Sequence, residues 1–278
     1  MVENDFCKDL LNEIIARGAI IYGTGYVAER FIESLKTHEV DCYVNQCVTT
    51  HKHGDEFKGY KVRGIDELKN YYNGELICIA VHEAIKDEII SILKAHSFDL
   101  YTWIYPYLHK LEFGEAIEIN KEVEIINILN AAKDDYKFAV RIAAIDQYYG
   151  ENDCGYSIYL KAQSQHCDTK TAQKRLVNFI ELIKSWDING FFMENRPLIA
   201  TDYEVIDGLH RLSLALYHGI KLIPCDIYRA EEIRKYRGDS VDIVEDILKK
   251  AGLTKKEIRI IETVQRDLMG TLDRAYDK

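Results

Sequence analysis

The chain has 278 residues, 47% of them hydrophobic and 29% charged, with only three prolines. That length suits two globular domains, and the composition excludes a disordered or fibrous chain. A formal net charge of −10 argues against a broad phosphate-backbone contact surface, so nucleic acid is not an expected partner.

No apolar run reaches membrane-spanning length, and the stretch from Met1 to Phe6 is acidic rather than signal-like. Seven cysteines without framework spacing fit reduced thiols. The expected setting is cytoplasmic, off the membrane.

Ala19-Ile20-Ile21-Tyr22 predicts a short buried strand, followed by Gly23-Thr24-Gly25-Tyr26-Val27-Ala28 and an amphipathic helix to Leu35. In this GxGxxA spacing Gly23 permits a tight turn, Gly25 lets a ligand approach the backbone, and Ala28 allows close helix–strand packing. Gly23, Thr24, Gly25 and Tyr26 are therefore one candidate ligand site. Val40–Val44 predicts the second strand, ending at Asn45. A dinucleotide site places Asp or Glu there to hold the ribose hydroxyls, and Asn45 lacks that charge, which argues against NAD.

Two glycines punctuate Gly59–Leu68; Glu75–Val81 then predicts a buried strand, Lys86–His96 a helix and Asp99–Ile104 a last strand. This order of elements, over about residues 15–108, resembles the N-terminal domain of PglD-like sugar acyltransferases. The resemblance implies a Rossmann-like parallel sheet over residues 1–110, with the glycine loop facing a nucleotide-sugar. The hexapeptide repeats of the acyltransferase β-helix are absent from the rest of the chain, so acetyl transfer by that route is not implied. A purely scaffolding or dimerising domain is the alternative. Cys42, Cys47, His51 and His53 have zinc-type side chains, but their spacing matches no standard pattern and no metal is assigned to them.

Residues 111–150 are rich in helix formers, notably Lys121–Leu129 and Ala139–Tyr149, and predict a helical connector. Gly150–Gly155 is a turn-rich break, taken as the boundary of a second domain over 151–278. Within that domain Ala172–Ser185 predicts a helix and Arg196–Ala200 a strand. Lys161 is a candidate phosphate contact at a strand end, and His166 reads as a surface or core-edge residue rather than a ligand.

The most informative stretch runs from Tyr203 to Ala215. The apolar pair Val205-Ile206 leads into Asp207-Gly208, then Leu209-His210-Arg211 and a helical repeat at Leu212, Ala215 and Leu216. A strand, a turn at Gly208 and a helix opening on two basic residues make an anion site, because a helix start offers unpaired N–H groups and a positive dipole end. Asp207 adds a carboxylate. Gly219 ends the helix and Ile220–Tyr228 predicts another strand.

From Tyr156 to Tyr228 this unit resembles the ParB/sulfiredoxin-like superfamily, which implies an α+β domain. Sulfiredoxins carry Gly-Cys-His-Arg where this chain has Gly208-Leu209-His210-Arg211; Leu209 removes the thiolate, and with it sulfinic-acid reduction. ParB proper carries Gly-Glu-Arg-Arg and a following DNA-binding domain, which the acidic balance disfavours.

The Asp-Gly-x-His-Arg pattern matches the small-molecule kinases of the superfamily, among them free-serine kinases. By that resemblance Asp207 would orient or deprotonate an acceptor hydroxyl, while Gly208, Leu209, His210 and Arg211 would hold the phosphates of ATP or ADP with Mg²⁺. These kinases also use an upstream Glu. Glu194 lies on the wrong side of the strand start at Pro197, and Lys161-Ala162-Gln163 has no carboxylate.

Helices over Val241–Ala251 and Lys255–Met269 close the chain, the second with Thr254 and Glu257 spaced as a capping box. They suit packing within the domain or between copies of the chain. The expectation is an α/β, two-domain, nucleotide-dependent phosphotransferase acting on a hydroxyl of a sugar or amino acid, in surface-polysaccharide precursor synthesis if the first resemblance governs. The alternatives are a nucleotide- or nucleotide-sugar-binding regulator without turnover and a ParB-related DNA-associated protein.

Overall fold

A computed structural model describes residues 6–52, 54–165, 167–190, 196–237 and 251–276. His53, His166, Glu194 and most of the expected helix over Val241–Ala251 lie outside them. The fold is mixed α/β, with one largely parallel and one mixed sheet. The chain divides into two compact units, Met1–Gly114 and Glu115–Lys278.

The first unit runs α1 (Phe6–Arg17), β1 (Ala19–Tyr22), α2 (Tyr26–Thr37), β2 (Val44–Thr49), β3 (Glu56–Phe57), β4 (Tyr60–Gly64), α3 (Ile65–Leu68), β5 (Leu76–Ile79), α4 (Glu83–Ala95), β6 (Tyr101–Trp103) and α5 (Leu108–Phe113). Strand order is β3-β4-β2-β1-β5-β6, with every pair parallel except the β3–β4 hairpin.

All four residues of β1 and of β5 are buried, as strands covered on both faces require. Ala19 and Ile21 pack with Leu10, Ile14, Phe31, Ile32 and Leu111. Ile20 and Tyr22 pack on the opposite face with Leu68, Ile89 and Leu93. One alternating strand thus feeds two cores. The direction in which successive strands are added reverses between β1 and β5.

The expected second strand is displaced. Asp41–Tyr43 forms a 3₁₀ turn, and the strand occupies Val44–Thr49. Asn45 consequently begins β2 instead of ending it, and its Nδ2 donates to Glu75 Oε1 at 2.9 Å. The strand ends at Thr49, and no carboxylate stands at that end either.

The second unit runs β7 (Glu118–Glu124), α6 (Ile125–Ala131), α7 (Lys137–Tyr149), α8 (Gly155–Gln163), α9 (Thr169–Asn189), β8 (Leu198–Ala200), β9 (Val205–Asp207), α10 (Leu209–Tyr217), β10 (Leu222–Tyr228), α11 (Ala230–Arg237) and α12 (Lys255–Tyr276). Its sheet has the order β7-β10-β8-β9; β10 and β8 are parallel, and the other pairs antiparallel. Helix α10 joins two cores: Leu214 packs with α7, α8, α9 and α12, while Leu212 and Ala215 pack on the sheet.

Two expectations fail here. Lys121–Leu129 is not one helix, because β7 continues to Glu124 and only then does α6 begin. Its Glu and Lys residues favour helix locally, but pairing with β10 overrides that preference, and charges are what an edge strand tolerates.

Nor is Gly150–Gly155 a domain boundary. It is the turn of a helix hairpin: Asn152 Oδ1 accepts from the Cys154 and Gly155 amides at 3.0 and 2.8 Å, and Asn152 Nδ2 donates to the Ala143 carbonyl at 2.9 Å. Residues 115–150 belong to the second unit. Among the described residues no helix is long and apolar enough to cross a membrane.

Candidate functional site

Strand β9 delivers Asp207 to the edge of the second sheet, opposite Leu198. The chain then turns through Gly208, whose φ of +90° lies in the left-handed region. A Cβ there would stand 2.8 Å from Pro197 Cα, so both backbone conformation and space demand glycine. Gly208 is the N-cap of α10 without any side-chain cap, leaving the amides of the first turn to other acceptors. Leu209 is partly buried against the sheet-side core.

His210 turns inward. Its Nε2 shares a 2.7 Å hydrogen bond with Tyr159 Oη, and its ring lies 4.4 Å from that of Phe179. Tyr159 is fully buried; burial raises its pKa, with Arg141 and Arg175 opposing that rise. Asp207 is exposed and Arg211 half-buried; the side chain of neither forms a hydrogen bond or ion pair with a described residue. A carboxylate and a guanidinium therefore flank an open helix start whose histidine is held in one orientation.

Lys161 does not join them. It lies on helix α8, not on a strand, and residues two apart on a helix face different ways. Tyr159 faces His210, whereas Lys161 Nζ binds both carboxylate oxygens of Glu257 at 2.9 and 2.8 Å.

Glu257 also accepts from Ser157 Oγ at 2.7 Å and from the Thr254 amide at 2.6 Å, and the Glu257 amide returns a bond to Thr254 Oγ1 at 3.3 Å. That is the expected capping box, built into an interhelical contact. Burial pushes the Glu257 pKa up, but the bonds from Lys161, Ser157 and Thr254 together outweigh it and hold it at about 2, against an ordinary 4.5.

A depressed carboxylate stabilises the fold above its unfolded pKa and loses that contribution as pH falls through its folded one. Glu257→Gln is therefore expected to lose about 2 kcal/mol at pH 7. The deficit should shrink as the pH is lowered from 4.5 toward 2. Urea melts across that range check it, and a pH-independent deficit would refute the assignment.

The glycine loop of the first unit sits at the end of β1. Gly23, at φ +126°, donates its amide to the Val48 carbonyl at 2.8 Å, and a Cβ on it would lie 2.8 Å from the Ala80 carbonyl oxygen. Thr24 follows in the loop. Gly25 is the extended N-cap of α2 with no atom within 4 Å of a built Cβ. Ala28 is fully buried.

Tyr26 is exposed, and the Arg30 guanidinium lies 5.3 Å from its ring while making a bidentate pair with Glu112. Beside these, the His82 and Tyr105 rings are 4.8 Å apart, and Lys86 Nζ lies 4.8 Å from the Trp103 ring. His82 and Lys86 follow β5, Trp103 ends β6 and Tyr105 follows it; sequence reasoning did not single them out, and two aromatics at the end of a strand were the available signal.

Of the Cys42, Cys47, His51 and His53 set, His53 lies outside the described residues, and Cys47 is buried in β2, where burial pushes its thiol pKa up to about 12. Among the described residues no group of three or more His, Cys, Asp or Glu side chains could hold a metal ion.

Tyr159 and Phe179, which fix His210, were not legible as site residues. An aromatic at helical spacing looks the same whether it packs a core or supports a ligand. Compared with known proteins, the chain matches no family model, no curated protein and no solved structure at a significant level.

Proposed function

We propose that the second unit is a nucleotide-dependent phosphotransferase acting on a hydroxyl of a small metabolite, a sugar or an amino acid, from a ParB/sulfiredoxin-like site. One observation carries the reading. Gly208 is held left-handed against Pro197 at an uncapped helix start, flanked by the Asp207 carboxylate and the Arg211 guanidinium, which have no hydrogen-bond or ion-pair partner among the described residues. Amides of the first turn, Arg211 and His210 would bind the phosphates of ATP or ADP, and Asp207 would accept the proton of the attacking hydroxyl.

Mg²⁺ is compatible with this donor set, since it is commonly held by one carboxylate together with the nucleotide's own phosphates; Asp207 would be that carboxylate. It would supply charge neutralisation between phosphate oxygens. In the first unit, the Rossmann-like reading rests on the strand order and the tight Gly23 turn. The space above Gly25 and the nearby aromatic rings suit a nucleotide-sugar.

The test is phosphoryl transfer from ATP and from ADP across a panel of sugars and amino acids, alongside calorimetric nucleotide binding. Arg211→Ala is expected to weaken nucleotide binding about 10- to 100-fold, as loss of a charge-assisted contact does. Tight binding with no turnover on any acceptor would replace the enzyme by a nucleotide-binding regulator. Salt-sensitive retention on DNA would favour the DNA-associated alternative.

A further inference from the structure

Arg141, in the middle of α7, is 9% exposed. Its Nη1 donates to the Lys137 carbonyl one turn back at 2.8 Å, and its Nε is buried without an acceptor. It forms no ion pair with a described carboxylate. Asp135 lies within electrostatic reach but engages the Lys137 ammonium at 3.0 Å and the Lys137 amide at 2.8 Å. An isolated buried guanidinium is expensive, because its lost hydration is not replaced.

Arg175, on α9, approaches the same place. Its Nη1 donates to Oε1 of the buried Gln163 at 2.9 Å, and it too lacks an ion pair with a described carboxylate. The surrounding order is tight: Tyr159 and Gln163 share one face of α8, and Arg175 and Phe179 share one face of α9, each pair four residues apart. Those faces meet His210 through Tyr159 Oη and the Phe179 ring. Burial lowers the Arg141 pKa, and Arg175 lowers it further while Tyr159 and Asp135 oppose.

We propose that Arg141 and Arg175 form the floor of an oxyanion site, bordered by Tyr159 and His210, that takes a phosphate dianion. With Asp135 and Lys137 cancelling each other, two guanidinium charges remain, and a dianion balances them where a carboxylate leaves one over. Binding here does not require turnover at Asp207, so this site and the phosphotransferase reading can fail separately.

The experiment is isothermal titration of the full-length chain with inorganic phosphate and with ADP, using wild type, Arg141→Met, Arg175→Gln and, as a control for lost positive charge, Lys184→Gln at an exposed position of α9. Phosphate affinity is expected to fall at least tenfold in both arginine variants and to stay within about twofold of wild type in Lys184→Gln. A parallel fall for ADP identifies the dianion as the nucleotide's; unchanged ADP affinity assigns it to a second, phosphorylated ligand.

Arg141→Met should melt no lower than wild type in phosphate-free buffer, since it removes an uncompensated charge. Arg175→Gln, at a half-buried position, carries the test independently of that core substitution. Wild-type phosphate binding that is absent, that is matched by acetate at equal ionic strength, or that survives in Arg175→Gln overturns the proposal.

Discussion

Replacing Gly155 by alanine is expected to destabilise the second unit by about 3 kcal/mol, near the upper end for overpacking. Two effects compete. Gly155 opens α8, and alanine in a helix ordinarily gains up to about 1 kcal/mol over glycine. Against this, a Cβ would stand 1.8 Å from the Ala143 carbonyl oxygen, 2.5 Å from its carbon and 2.9 Å from Ala144 Cα.

All three are backbone atoms of α7, so no rotamer change relieves the clash. The helices must part across a core that includes Ile145, Ile158 and Tyr159. Gly150→Ala is the control. Gly150 is left-handed at φ +85° but has open space around it, so it should cost only about 1 kcal/mol of backbone strain. Calorimetry or urea melts should place Gly155→Ala well below Gly150→Ala, and equal stabilities would refute the close α7–α8 approach.

Asp207→Asn is expected to slow phosphoryl transfer about 10²- to 10⁴-fold, the usual contribution of a general base, with the affinity for Mg²⁺-free nucleotide nearly unchanged. Asparagine keeps the shape and the exposed position at the end of β9 but cannot take the hydroxyl proton. Stability should change by less than about 0.5 kcal/mol, because the exposed side chain has no partner among the described residues to lose. An equal fall in binding and turnover would make Asp207 a ligand-holding group instead. Retention of full activity would remove it from the chemistry.

Much of the architecture was legible from local patterns. Strand β1 ends where the apolar run meets Gly23, helices α2 and α4 fall on the two helical stretches expected in the first unit, and Gly208 marks the turn before α10. The failures share a cause. Glu and Lys in β7 state a helical preference that non-local pairing with β10 overrules. The polar turn at Gly150–Gly155 looks the same from sequence whether it links domains or bends a helix hairpin. Lys161 reads as an available cation until Glu257, ninety-six positions later in the chain, is found against it.

By itself, the sequence determined the identities that short-range chemistry needs: glycine at 23 and 208, a carboxylate at 207 and basic residues at 210 and 211. Backbone conformation and side-chain type are local properties, so they can be read locally. Only the tertiary structure decided which charges are spent and which remain available. It paired Lys161 with Glu257, turned His210 onto Tyr159, and left Arg141 and Arg175 without carboxylate partners among the described residues. Charge compensation depends on distances between segments far apart in the chain, and those distances are set by packing.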